Sequence, residues 1–142
     1  MILLDTNVLS ALMRREPDPI VTAWLDQQVP EAVWTTSINV FEVEFGLAIM
    51  AAGCRRDELA RGFSLLLRQD LAGRVADFDT ASASAAAALA ARRQQQGRPI
   101  EFRDTQIAGV ALSRRARIAT RDMRHFNDLD PAPIDPWAPA PD

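Results

Sequence analysis

The chain has 142 residues, of which 48% are apolar, and this is enough to bury the core of one domain and excludes a disordered chain. Its formal net charge of −3 excludes a protein covered in basic surface, although it is compatible with a local groove for nucleic acid. All 16 basic residues are arginine, so every mechanism that needs a lysine ammonium, such as a P-loop or a Schiff base, is excluded.

Segments typical of strands and of helices alternate along the chain. Apolar or β-branched runs predict strands at 1–4, 32–36, 74–78 and 117–120. Amphipathic or alanine-rich segments predict helices at 17–28, 38–52, 55–71, 80–96 and 104–115. This alternation predicts an α/β fold with a mostly parallel central sheet of about four to five strands flanked by helices.

The C-terminal end of the chain is rich in proline. Within the segment DLDPAPIDPWAPAPD, at most Ile134 is expected to add a short strand at the edge of the sheet. We find no internal repeat and no linker. The sequence therefore predicts one domain at 1–137 and a short proline-rich tail at 138–142.

Cysteine content and hydropathy predict where the protein acts. The one cysteine, Cys54, cannot form an internal disulfide and suits a reducing compartment. The opening MILL is too short for the core of a signal peptide, and no run of about 18 apolar residues is present. We therefore expect a cytoplasmic protein without a membrane partner.

Three aspartates lie where predicted elements begin or end. Asp5 follows the first strand, Asp122 follows the strand at 117–120, and Asp104 opens the helix at 104–115. Functional sites of open parallel sheets lie beyond the carboxyl ends of the strands, so these carboxylates could converge. Each also has a simpler structural interpretation, because Asp5 and Asp104 could cap helices and Asp122 could be a turn residue.

Glu42 is a fourth candidate, on the helix at 38–52. At about 100° per residue it falls between Ile38 and Ile49 on one side and Gly46 and Met50 on the other. Burying a lone carboxylate among such neighbours costs several kcal/mol unless something pairs with it. Gly46, one turn later, leaves room beside Glu42 for an ion or a substrate.

A cleft that contained all four carboxylates would favour a cation. Two carboxylates at about 4 Å repel each other by roughly 1 to 4 kcal/mol, depending on the local dielectric. A hard divalent cation removes that cost, and carboxylates with water suit Mg²⁺ or Mn²⁺ better than zinc. Such a centre, with one ion or two, can activate water and neutralise the charge of a phosphodiester.

Four segments of the chain resemble the motifs of PIN domains. They are LLDTNVLSAL, NVFEVEFGLA, FRDTQIAGVAL and IATRDMRHF. Their order and spacing are similar to those of the VapC toxins of bacterial toxin–antitoxin pairs, and more narrowly to those of the FitB-like branch. The segment IDPW also resembles the last strand of that branch. The likeness extends from residue 1 to about 137.

The resemblance implies a PIN-like fold and a Mg²⁺- or Mn²⁺-dependent endoribonuclease. Asp5 and Asp104 would be the principal metal ligands, and Glu42 and Asp122 would complete the catalytic site directly or through water. The hydroxyls of Thr6 and Thr120 would orient these ligands. His125 stands where many relatives carry another acid or a variable residue, which lowers the negative charge available to a second ion.

The resemblance also implies partners for this chain. Members of the family usually form homodimers, and a cognate VapB-type antitoxin holds them inactive in a higher assembly. The C-terminal segment of that antitoxin would lie over the acidic cleft, in competition with the RNA substrate.

Arginines flank the motif segments and could bind RNA phosphates. They are Arg14, Arg15, Arg103, Arg121 and Arg124. Exposed arginines are also commonly solvated or paired with acids. Trp24 and Trp34 have the spacing of core residues, which favours packing over base stacking.

Other functions start from the same strand-terminal Asp5. Phosphatases of the haloacid dehalogenase type need a second aspartate two residues later, where this chain has Asn7, and they also use a lysine. Receiver-like signalling domains depend on a lysine as well. A catalytically silent PIN-like module that binds nucleic acid or protein, such as a FitB-like regulatory complex on DNA with its antitoxin, remains the alternative. The presence of all four acids disfavours it.

Overall fold

The computed structural model describes residues 1–140, so the last two residues of the predicted tail lie outside the described residues. The sheet consists of β1 (Ile2–Leu4), β2 (Val33–Thr36), β3 (Val75–Ala76) and β4 (Arg117–Ala119). All neighbouring strands are parallel, in the order β3–β2–β1–β4. The predicted parallel sheet is therefore confirmed, and Ile134 adds one isolated parallel bridge to Ala119.

Helices cover both faces of this sheet. They are α1 (Thr6–Met13), α2 (Pro19–Asp26), α3 (Ser37–Ile49), α4 (Cys54–Leu65), α5 (Thr80–Gln95) and α6 (Phe102–Arg114). The predicted helix at 55–71 divides into α4 and a π-helical turn, Leu66–Asp70, and a 3₁₀ turn follows β4 at Met123–His125. Within residues 1–140, no helix is both long enough and apolar enough to span a bilayer.

The core consists of two layers, one on each face of the sheet. Leu3 and Leu4 are both fully buried and lie in different layers, because successive side chains of a strand point to opposite faces. The layer on the Leu4 side contains buried side chains of α1, α2, α3 and α4, and the layer on the Leu3 side contains those of α5 and α6. Trp24 and Trp34 pack against these layers, as their spacing predicted.

The topology places several polar segments at one edge of the sheet. Strands β1, β2 and β4 are parallel and adjacent, so their carboxyl ends point the same way. Asp5, Thr36 and Thr120 are the residues that end or follow these three strands. All three side chains are buried, and they form the floor of the site described next.

Candidate active site

Asp5 lies directly after β1, and three donors hold its carboxylate. Oδ1 accepts hydrogen bonds from the backbone N–H of Thr6 at 2.8 Å and from Nδ2 of Asn39 at 3.0 Å. Oδ2 accepts one from the hydroxyl of Thr120 at 2.7 Å. Burial raises the pKa of Asp5, as does the negative charge of Asp104, while the donors oppose this shift. Asp5 therefore caps α1 and also contributes a buried carboxylate to the site.

Glu42 projects from α3 toward the same place and is partly buried. Its Oε1 accepts a hydrogen bond from the hydroxyl of Thr6 at 3.3 Å, and its Oε2 lies 3.8 Å from Nη1 of Arg103. Burial raises the pKa of Glu42, and the nearby charges of Asp5 and Asp104 raise it further. Glu42 is thus electrostatically coupled to two other predicted ligands.

The space next to Glu42 is open, as the sequence predicted. Gly46 lies one turn further along α3, and a Cβ atom at this position would meet no other atom within 4 Å. The surface of α3 is therefore open at Gly46, one turn from Glu42.

Asp104 lies in the first turn of α6, but it does not cap the helix. The cap is Glu101, whose Oε1 accepts the backbone N–H of Arg103 at 3.0 Å, so the capping interpretation of Asp104 is wrong. Oδ2 of Asp104 lies 2.6 Å from Nδ1 of His125. Burial raises the pKa of Asp104, and the charges of Glu101 and Asp122 add to this, although His125 opposes it.

Asp122 is exposed and is joined to Asp5 through shared polar neighbours. Nδ2 of Asn7 donates to Oδ2 of Asp122 at 3.2 Å and to the hydroxyl of Thr120 at 3.3 Å. The backbone N–H of Asp122 donates to the same hydroxyl at 3.0 Å. The amide oxygen of Asn7 accepts the N–H of Arg121 at 3.2 Å, which fixes the chain direction just before Asp122.

The four predicted acids therefore surround one site. Thr6 links Asp5 to Glu42, and Thr120 links Asp5 to Asp122. Asp104 acts on Asp5 and Glu42 through its charge. The charge of Asp122 in turn raises the pKa of Asp104, so acids from four distant parts of the sequence act on a common site.

Sequence reasoning missed two asparagines and one glutamate of this site. Asn39 is fully buried, and its amide donates to both Asp5 and Thr6. Its position, three residues before Glu42 on α3, was a usable signal, because both side chains then lie on one face of the helix. Asn7 was considered only as a missing aspartate, and Glu101 was not considered.

Two of the predicted phosphate-binding arginines lie at the acids. Arg103 is half-exposed and lies beside Glu42. Arg124 is exposed and lines a cavity that adjoins Asp104. Both guanidinium groups are therefore placed where a polyanion near the acids would meet them.

The other three predicted arginines have different surroundings. Arg14 and Arg15 are exposed after the end of α1, and a guanidinium nitrogen of Arg14 lies 3.6 Å from Asp18. The side chain of Arg121 lies over the ring of Trp137, with 4.5 Å from the guanidinium carbon to the ring centre. These contacts stabilise the fold locally, and none of them involves the four acids.

A buried ion pair holds the turn that carries Asp122 and His125. Arg93 of α5 is 4% exposed and donates to Asp128 through two nitrogens, at 2.9 and 2.7 Å. It also donates to the backbone oxygen of His125 at 2.9 Å. Nη1 of Arg98 lies 2.9 Å from Oδ2 of Asp128, which also accepts from Nε of Arg93. The position of His125 against Asp104 therefore depends on a guanidinium group from another helix.

The donor atoms of the site fit a hard divalent cation, since they are carboxylate oxygens with hydroxyl and amide neighbours. As placed, however, no three acidic, histidine or cysteine side chains in residues 1–140 form a group ready to hold a metal ion. Oδ2 of Asp104 contacts His125, and the carboxylate oxygens of Glu42 contact Thr6 and Arg103. The site therefore fits a hard divalent cation in the type of its donor atoms and in its negative charge.

Comparison with known proteins places the chain in a family. The PIN domain profile matches residues 2–130. The chain is 40% identical over 140 residues to VapC ribonuclease Y4jK of Sinorhizobium fredii, covering 99% of this chain and 100% of that protein. It is 34% identical over 137 residues to toxin FitB of Neisseria gonorrhoeae, covering 96% and 99%. A solved structure of FitAB bound to an IR36 DNA fragment matches with a TM-score of 0.86 and 34% identity, covering 99% of this chain and 98% of that one. The chain therefore belongs to the PIN-domain family, among the relatives named VapC and FitB.

Proposed function

We propose that this protein is a Mg²⁺- or Mn²⁺-dependent endoribonuclease and the toxin of a type II toxin–antitoxin pair. The observation that carries the proposal is the hydrogen-bond network that joins Asp5 to Glu42 through Thr6 and to Asp122 through Thr120. Burial also raises the pKa of three carboxylates of the site, Asp5, Glu42 and Asp104. Burial and at least one other carboxylate raise the pKa of each of these three groups, so their ionised forms are disfavoured in the folded protein. A bound cation would therefore remove an electrostatic cost of the fold. The ribonuclease and toxin names of the full-length relatives support the same activity.

In this proposal, the chain's own residues position the reaction. Asp5, Asp104, Glu42 and Asp122 would hold the cation, which when bound lowers the pKa of a water and neutralises charge on the scissile phosphodiester. Thr120 and Asn39 fix both oxygens of Asp5 through hydrogen bonds. The guanidinium group of Arg103 would bind a phosphate of the RNA strand.

We also propose that a VapB-type antitoxin pairs with this chain. The similar solved structures are of FitAB and FitAcB complexes, one of them with DNA. An antitoxin segment that entered the acidic cleft would occupy the positions proposed for RNA. The alternative, a catalytically silent module that acts only in such a complex, is disfavoured because all four acids are retained and linked.

The test is RNA cleavage by the purified protein and two variants. Asp5→Asn keeps the shape of a buried side chain but removes its charge, so we expect loss of cleavage with an unchanged far-UV spectrum. Asp26→Asn is the matched control, because Asp26 is an exposed acid at the end of α2. EDTA should abolish cleavage by the parent, and Mg²⁺ or Mn²⁺ should restore it. Cleavage by Asp5→Asn at the parental rate would exclude the mechanism.

A further inference from the structure

A cavity of about 270 Å³ adjoins the acidic site and has no role in the function proposed so far. Asp104 and His125 form one part of its wall. The rest is lined by the segment from Arg98 to Glu101 and by Arg124. Whatever binds at Asp104 would therefore extend into this cavity or pass over it.

The charge of the cavity indicates whether it would bind a phosphate group or a nucleobase of an RNA strand. The residues that line the cavity include three arginines, Arg93, Arg98 and Arg124, but also two acids, Glu101 and Asp104. Arg93 and Arg98 share one partner, Asp128, so three arginines in and around the cavity are balanced by three carboxylates. A phosphate group would gain little from such a balance and would lie near two carboxylates. A nucleobase is neutral and would not be repelled.

The walls of the cavity have the chemistry that a nucleobase needs. Pro99 and Ile100 supply apolar surface for the face of a ring. Arg124 supplies hydrogen-bond donors, and Glu101 supplies a carboxylate acceptor, of which only Oε1 is used to cap α6. A neutral, flat group with both donors and acceptors on its edge would therefore satisfy all of these side chains.

We propose that this cavity receives the base next to the scissile phosphate and so determines where the RNA is cut. The inference rests on the proposed function, because it places the substrate relative to Asp104. Guanine fits best, since its O6 and N7 accept from an arginine while its N1–H and N2 amino group donate to a carboxylate. Adenine, cytosine and uracil lack one of these two patterns.

Hydrogen bonds from two arginines fix the backbone on two sides of this cavity. Arg93 fixes the backbone oxygen of His125, and Arg98 lies 3.4 Å from the backbone oxygen of Arg124 and from Oδ1 of Asn127. The walls are therefore set by contacts between α5, the segment after it and the turn at Met123–His125. A backbone held on two sides of the cavity favours selection of one base, because Arg124 and Glu101 then extend from defined positions.

The experiment maps cut ends in an RNA pool with randomised sequence. We expect the parent to favour guanine at one position beside the cut. Arg124→Gln and Glu101→Gln should lower kcat/KM for guanine-containing sites by about 5- to 150-fold, which corresponds to the roughly 1–3 kcal/mol of one bidentate base contact. The loss at sites without guanine is measured in the same pool, and we expect it to be smaller than the loss at guanine-containing sites. Arg92→Gln is the control, because Arg92 is exposed on α5 and does not line the cavity.

Arg124→Lys separates base reading from phosphate binding. Lysine keeps the positive charge but lacks the planar fork that recognises guanine. We expect Arg124→Lys to lose the base preference as Arg124→Gln does. A variant that slows all sites equally, or a lysine variant that behaves as the parent, would assign Arg124 to the phosphates and overturn the inference.

A binding measurement keeps the inference independent of cleavage. The Asp5→Asn protein is titrated with four short RNAs that differ only at one base, with and without Arg124→Gln. Tighter binding of the guanine RNA that disappears with Arg124→Gln supports the cavity assignment, even if the parent cuts no RNA and the proposed function fails. Equal affinities for all four RNAs, with a parent that does cut RNA, would overturn the inference and leave the proposed function intact.

Discussion

The hydroxyl of Thr120 donates to Oδ2 of Asp5 at 2.7 Å, and both side chains are buried. Thr120→Val has nearly the same shape but removes this donor, and it also leaves the N–H of Asp122 without its acceptor. We expect a 10- to 100-fold loss of RNA cleavage, about the size of the effect when a residue that orients a metal ligand is removed. Initial rates at saturating Mg²⁺ measure this change.

Thr120→Ser separates orientation of Asp5 from packing. Serine keeps the hydroxyl and loses only a methyl group, so the variant should be slightly less stable than the parent but nearly as active. Equal activity of the valine and serine variants would show that the hydrogen bond to Asp5 has no part in catalysis.

Divalent cations should stabilise the parent protein in a way that depends on the acids. A ligand that binds only the folded state at about 100 times its Kd adds about 2.7 kcal/mol to the free energy of unfolding. We therefore expect Mn²⁺ to raise the Tm of the parent by several degrees and to leave the Tm of Glu42→Gln or Asp5→Asn nearly unchanged. Glu44→Gln is the control, because Glu44 is exposed on the same helix. An equal shift in all four proteins would indicate binding elsewhere.

The positions of the acids could be predicted because they depend on local and topological rules. Asp5 follows a short apolar run, and Asp122 lies close after another, so the rule for parallel sheets places both at one edge. Glu42 followed from helix periodicity alone, which located both its partial burial and the open space beside Gly46. These inferences required no knowledge of which distant side chains meet.

The contacts between distant side chains could not be predicted in this way. Arg93 and Asp128 are 35 positions apart, and Asp104 and His125 are 21 apart, and no periodicity connects either pair. The cap of α6 was missed for a different reason. Glu101 and Asp104 are both suitable acids near the helix start, and the choice depends on where the backbone turns, which sequence determines only to within a few residues.

The ion pair between Arg93 and Asp128 should make stability depend on pH. Hydrogen bonds from Arg93 lower the pKa of Asp128 in the folded state, and the charges of Arg93 and Arg98 lower it further. A carboxyl with a lowered pKa stabilises the fold above its unfolded pKa of about 3.9, and this stabilisation is lost as the pH falls through the lower, folded value.

Asp128→Asn tests this dependence, because it leaves the buried guanidinium of Arg93 without a counter-charge. We expect a loss of about 3 kcal/mol in the free energy of unfolding at pH 7, the size found when one partner of a buried pair is removed. The difference between parent and variant should shrink as the pH falls below about 4. Urea titrations across this range measure it, and a constant difference would show that the ionised form of Asp128 is not what stabilises the fold.

Gly109 allows α5 and α6 to pack closely. A Cβ atom at Gly109 would lie 2.4 Å from the backbone oxygen of Ser82 and 2.7 Å from the Cβ of Ala86. Gly109→Ala must therefore push the helices apart, and we expect a loss of about 1 to 3 kcal/mol in urea unfolding. Gly46→Ala is the matched control within a helix, where the open space should permit a gain of about 0.5 to 1 kcal/mol. The same sign for both substitutions would contradict this account.

An apolar stripe on α3 should form the homodimer that the family resemblance implies. Phe41, Phe45 and Ile49 are 56%, 49% and 69% exposed, at intervals of four residues, and the two phenyl rings stack with centroids 6.0 Å apart. A second copy of the same stripe would cover this surface, since an apolar surface is complementary to itself. We expect the double variant Phe41→Ser, Phe45→Ser to sediment as a monomer at concentrations where the parent is a dimer. Ile20→Ser removes an exposed apolar side chain on α2 instead, so it should leave the dimer intact. A double variant that remains dimeric would place the interface on another face.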